Sequence, residues 1–145
     1  MKLVVMRSIA AAITILVGLA SAQAADKDFI DYRINLMKSL GAHAGALGAI
    51  AQNKVPYGDN LALHADAIGA AADAALLAFE KNLPGGTAAA NIWENWDDFA
   101  GRFQALSASA KEVAAAARSG GMAAAGPKMR GLFTCKSCHD EYRTE

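Results

Sequence analysis

The stretch Asn91–Gly121, NIWENWDDFAGRFQALSASAKEVAAAARSGG, decides the fold. Trp96, Phe99, Phe103, Leu106, Ala110, Val113 and Ala117 recur at alternating steps of three and four. That spacing gathers them into one apolar seam on a helix of 3.6 residues per turn. Asn91 stands where an N-cap belongs, and Glu94, three residues on, can reach back to a free backbone N–H in a variant of the capping box. Gly120 and Gly121 end the segment. A helix with one such seam buries it only by packing against other helices.

The flanking sequence supplies three partners. It is rich in Ala, Leu, Lys and Glu and shows no strand pattern, so helix is its default state. The first segment is expected from about Lys27 to Asn53, with Asp26 or Asp28 as N-cap and KVPYG as its stop. Phe29, Leu36, Leu40, Leu47 and Ile50 form its apolar stripe. The second is expected from about Asp59 to Lys81, with Leu61, Ile68, Leu76 and Phe79 buried and NLPGGT closing it. The fourth is expected from roughly Met122 to Tyr142, with Pro127 starting or kinking its regular part. Met129, Leu132, Phe133, Cys135 and Tyr142 make its apolar side. Short connections between four such helices predict an all-α, antiparallel up-down-up-down four-helix bundle.

Residues 1–24 read differently. Lys2 and Arg7 precede the apolar run SIAAAITILVGLA, and Ala22 and Ala24 follow in an A-x-A arrangement. This is the layout of a secretory signal peptide cut after Ala24. The run falls short of the about 20 residues that a membrane-spanning helix needs. Residues 25–145 then form one domain of formal charge −2. That balance argues against nucleic acid or an anionic membrane as partner, and no membrane anchor is expected after cleavage.

Near the other end stands FTCKSCHDEYRTE, which holds both cysteines and one of the three histidines of the chain. In an exported protein two cysteines usually pair, but Cys135 and Cys138 are three apart and His139 follows at once. A redox dithiol normally opens a helix beside a βαβ pattern, which is lacking here. A zinc site wants four ligands where this cluster offers three. C-x-x-C-H is the signature of covalent haem attachment, in which each thiol adds to one porphyrin vinyl group. Positions i, i+3 and i+4 share a helix face, so Cys135, Cys138 and His139 address one macrocycle.

With these pieces in place the chain resembles the class II c-type cytochromes, the cytochrome c prime family, over nearly all of residues 25–145. The resemblance is carried by YRINLMKSLGAHAGALGAI, KVPYG, IWENWDDF and CKSCHDEYR. It implies one haem c, with Cys135 and Cys138 as thioether cysteines and His139 as axial ligand to iron. Arg33 matches an arginine that approaches a haem propionate, and Arg143 matches a basic residue near the proximal imidazole. Met37, one turn after Arg33, matches the position facing the iron from the opposite side. Gly41, Ala44, Gly45 and Gly48 on the same side leave room for a flat ring.

The subgroup that looks most similar is low-spin, with His139 and Met37 both bound to iron. The expected function is therefore a periplasmic electron carrier, with redox proteins as unidentified partners and no enzymatic reaction. The alternative is a five-coordinate, high-spin haem that binds or buffers nitric oxide or carbon monoxide. Monomer and homodimer both fit. His43 falls on another face of the first helix, His64 sits near the start of the second, and neither is given a role.

Overall fold

The computed structural model describes the backbone of residues 2–145 and the side chains of residues 26–145, so the side chains of the expected signal peptide over residues 1–24 lie outside the described residues. Five α-helices build the fold: α1 (Lys2–Ala51), α2 (Leu61–Phe79), α3 (Asn91–Glu94), α4 (Trp96–Ala125) and α5 (Cys135–Tyr142). Short 3-10 turns cover Gly58–Asn60 and Gly126–Leu132. No strand occurs among the described residues. Successive segments pack on one another, α1 on α2, α2 on α4, and α4 on the turn leading to α5. Grouped by direction, these pieces are the four members of the expected bundle.

Each stop has a local cause. After α1, Asn53 takes a left-handed φ of 54°. Lys54 N–H then donates to the Ala49 carbonyl at 2.9 Å and Asn53 N–H to Ile50 at 2.9 Å. This pair of bonds is a Schellman cap with Asn in the place usually held by Gly. The helix end expected at Asn53 thus falls two residues earlier, at Ala51. No cap forms at Asp26 or Asp28, because α1 runs through both. At the other reversal Gly121 adopts φ 59° and ψ −146°, a combination open essentially to glycine alone.

The core lies in two contiguous layers. One unites Leu47 and Ile50 of α1, Leu61, Ala65 and Ile68 of α2, Ala110, Val113 and Ala114 of α4, and Met129 and Leu132. The other unites Ala72, Ala75 and Phe79 of α2 with Ile92, Phe99, Phe103 and Tyr142. All seven seam positions of the Asn91–Gly121 stretch are buried or half-buried. Small residues let α2 and α4 approach closely: a Cβ on Gly69 would sit 3.4 Å from that of Ala110. Phe29 departs from its expected place in the stripe. It is 47% exposed, with the Lys81 ammonium 4.3 Å from its ring centroid.

Two expectations about boundaries need correction. The third helix is not continuous from Asn91, since Asn95 (φ −118°, ψ 42°) breaks it into α3 and α4. The Asn91 side chain is not a cap: its Oδ1 accepts no hydrogen bond, while its amide nitrogen donates to the Glu141 carbonyl at 3.0 Å. Nor is the fourth segment one helix from Met122 to Tyr142. Pro127 removes a backbone donor, Gly126 and Gly131 weaken the helix, and a Cβ on Gly131 would lie 2.5 Å from Ser109 Oγ of α4. The chain answers with a tighter 3-10 path and restarts at Cys135.

The loop between α2 and α3 touches both ends of the chain's functional sequence. Leu83 accepts from Arg33 of α1 at 2.5 Å. Gly85 and Gly86, with positive φ, lie against Ile30 and Ile34. Ala89 N–H donates to Tyr142 at 3.1 Å and Thr144 N–H to Thr87 at 2.9 Å.

Candidate haem site

The cysteines and histidine ride on α5, a helix of eight residues that cannot be stable alone. Its anchor is Tyr142, one turn after Cys138 and 5% exposed. The Tyr142 ring meets Phe99 edge to face at 5.2 Å. Its hydroxyl donates to Asp98 Oδ2 at 2.5 Å. Arg102 donates from Nε to the same carboxylate at 2.7 Å, and another guanidinium nitrogen reaches the Ser137 carbonyl at 3.0 Å. The guanidinium carbon also stands 5.2 Å from the Tyr142 ring centroid. One acid–base pair on α4 thus fixes both ends of the last turns of α5.

The Asp98 carboxylate, by accepting the Tyr142 phenol, pushes that phenol up to about 12. In return Tyr142 first, and Arg102 second, hold Asp98 below its ordinary value. A phenol raised on folding contributes stability fully below its unfolded value of about 10 and loses it as pH climbs toward 12. Asp98 acts at the opposite end: its contribution is present above about pH 4 and lost on acidification. We expect urea midpoints to fall between pH 10 and 12 in the parent, and Tyr142→Phe to lack this alkaline component. Equal slopes in the two proteins over that window would contradict the assignment.

Cys138 is half-buried and packs on the same apolar layer as Met37, Leu36 and Leu40. Burial pushes its thiol up. Cys135 and His139 are exposed, and both cysteines are free. Arg33 is 3% exposed. Its guanidinium lies 4.9 Å from the Phe79 ring centroid and 5.8 Å from that of Trp93. One of its terminal nitrogens bonds Leu83, while the other, buried, has no hydrogen-bond partner. Burial also lowers its pKa from the ordinary value. Arg143 is exposed and lines a shallow groove with His139, Asp140 and Thr144.

The structure therefore brings Met37, Cys138 and Arg33 to one apolar layer and sets His139 with Arg143 on the outer side of α5. Contact between His139 and Met37 is not among the described ones. Along α1, a Cβ on Gly41 or Gly45 would meet nothing within 4 Å. Ala44, Gly45, Gly48 and Phe133 line an open groove of about 370 Å³. Phe133, expected on the buried side, is 49% exposed beside it.

The family described as Cytochrome C' matches residues 28–143. The chain belongs to the cytochrome c' family. Among its relatives, cytochrome c' of Pararhodospirillum photometricum is 32% identical over 124 residues, covering 83% of this chain and 99% of that protein. Cytochrome c-556 of Agrobacterium tumefaciens is 37% identical over 123 residues, covering 82% and 97%. In three dimensions the chain is similar to a nitric oxide complex of a point variant of cytochrome c prime from Alcaligenes xylosoxidans. There the TM-score is 0.74 at 23% identity, over 83% of this chain and 97% of that one.

Cytochrome c' proteins carry haem c, an iron porphyrin held covalently. The residues present here fit that group on three counts. The buried guanidinium nitrogen without a partner suits an anionic carboxylate, which can answer a desolvated cation with a charge-assisted hydrogen bond. The open glycine strip accepts a flat apolar body. Two free cysteines with an adjacent imidazole would supply tethering and ligating atoms. Sequence alone did not reveal the Asp98–Arg102–Tyr142 network, although the i, i+4 spacing of Asp98 and Arg102 on a helix was a usable signal. Nor did it reveal the Phe79–Trp93 cage around Arg33. Trp93 is held there by donating to the Phe79 carbonyl at 2.8 Å.

Proposed function

We propose that this cytochrome c' family chain is an exported haem c protein whose iron is ligated by His139 alone and binds a diatomic gas, nitric oxide or carbon monoxide, on the opposite side. The observation that carries this reading is the match to the cytochrome c' family over residues 28–143, and the packing of Met37 agrees with it. Its side chain is half-buried in the apolar layer with Leu36, Leu40 and Cys138, the usual employment of a methionine as a soft core filler. Engaged there, it serves as bulky cover. The nitric oxide complex in the similar fold and the cytochrome c' relative add support.

In this reading Cys135 and Cys138 hold the porphyrin through thioether bonds. His139 presents an imidazole nitrogen, and Arg143, beside it on the outer face, is the charged neighbour of that ring. Arg33 binds a propionate, its flat cation kept in place by Phe79, Trp93 and the Leu83 carbonyl. Leu36, Met37 and Leu40 exclude water from the gas side. The haem iron supplies the bond to the gas. No substrate is converted, so the protein is a binder and not an enzyme.

The electron-carrier expectation, with Met37 bonded to iron, has less support. Absorption spectroscopy decides between the two. The ferric protein should give a broad high-spin spectrum, the reduced protein should shift on adding carbon monoxide, and Met37→Leu should leave the ferric spectrum as it was. A sharp low-spin spectrum with the weak far-red sulfur-to-iron band, abolished by Met37→Leu, would restore the carrier reading.

A further inference from the structure

His43 of α1 and His64 of α2, which sequence reading left without a role, meet across the helix interface. Their Nδ1 atoms are 3.0 Å apart, with ring centroids 5.3 Å apart and planes inclined at 49°. Both rings are half-buried, so solvent reaches the pair. We propose that these two imidazoles form a second metal site, separate from the haem, that chelates a divalent transition-metal ion of the copper(II) type between α1 and α2.

Two nitrogens at 3.0 Å, each placed about 2.0–2.1 Å from one ion, subtend an angle of about 91–97° at that ion. This is the right angle between neighbouring ligands in square-planar or tetragonal sites, the geometry of copper(II) and nickel(II), and is narrow for tetrahedral zinc. The same two nitrogens share one hydrogen bond in the metal-free pair. Small ring rotations turn both nitrogens toward a common point, and as the ion enters the donor ring gives up its Nδ1 proton to solvent and takes one at Nε2, so that both rings ligate as neutral imidazoles. Neither ring is spoken for by a carboxylate, since no ion pair to histidine occurs among the described residues. One turn to either side stand Ser39 and Leu47 on α1, Asn60 in the 3-10 turn before α2, and Ile68 on α2, all uncharged. No group of three metal-ligating side chains exists among the described residues. Water therefore completes the coordination, as befits an exchangeable site and not a structural one.

The test is a calorimetric titration of copper(II) into the full haem-loaded protein, His43→Gln and His64→Gln. The parent is expected to take up one ion saturably. Each variant should lose about 100-fold or more in affinity, because one ligand of a two-point chelate carries the effective concentration of the other. Far-UV circular dichroism and the haem spectrum should be unchanged, as neither side chain belongs to the haem site. Absence of saturable uptake by the parent overturns the proposal, and so does either variant that keeps the parent's affinity. If one variant fails to fold, the other and the parent titration still decide.

Discussion

Replacing Cys135 and Cys138 together with serine should abolish covalent haem. Denaturing intact-mass measurement is expected to find the added mass of the porphyrin on every molecule of the parent and on none of the double variant. The reason lies in the nucleophile. A thiol ionises near pH 8.5 and its sulfur is soft, whereas a serine hydroxyl neither ionises at working pH nor adds to a vinyl carbon. Each single variant should keep one tether and so keep the mass, with a bond that tolerates less strain. The helix itself should survive, because Tyr142 and Arg102, not the cysteines, hold α5 to α4. Retention of porphyrin mass by the double variant would overturn the attachment assignment without touching the fold.

Phe99→Ala is expected to have the largest effect on stability. Phe99 is 3% exposed and stands at the centre of an aromatic set. Its centroid lies 5.1 Å from Phe79, 5.1 Å from Phe103, 5.2 Å from Tyr142 and 5.9 Å from Trp96. Removing a buried phenyl ring costs about 3–5 kcal/mol through lost transfer energy and the cavity left behind. That is a large share of a typical domain stability of about 5–15 kcal/mol. In a chain of this length it should lower Tm by roughly 10–20 °C. Phe29→Ala is the control: the ring is 47% exposed, and its removal should change stability by no more than about 0.5 kcal/mol. Comparable losses from both would show that the aromatic centre has been misplaced.

These outcomes separate what the sequence could announce from what only packing could. The seam from Trp96 to Ala117 was legible because seven apolar positions at steps of three and four admit one interpretation. The Gly120–Gly121 reversal was legible for a related reason, since two glycines after such a run leave the helix little to gain by continuing. The break in the last segment was not, because it depends on Gly131 meeting Ser109 of another helix. The Asn91 cap failed for a similar cause: its amide nitrogen is drawn to Glu141, 50 residues away, and its Oδ1 is left without a donor.

At the site, the expectation for Cys135, Cys138 and His139 came from their spacing alone. Arg33 could be marked only through resemblance, since its burial depends on Phe79 and Trp93 from two other elements. The meeting of His43 with His64 lay wholly beyond sequence reading, because helical periodicity says which face a side chain occupies and not what stands opposite.

The loop from Leu83 to Ala89 has a consequence for tolerance to change. Surface connections usually accept insertions, since lengthening one adds little closure entropy. The turn from Lys54 to Gly58 should behave that way. The longer loop should not, because it is a spacer gauge with the arginine of α1 on one side and the tail of α5 on the other. Adding or deleting a residue there would shift those two ends out of register, so drift in length during divergence should concentrate in the first connection and spare this one.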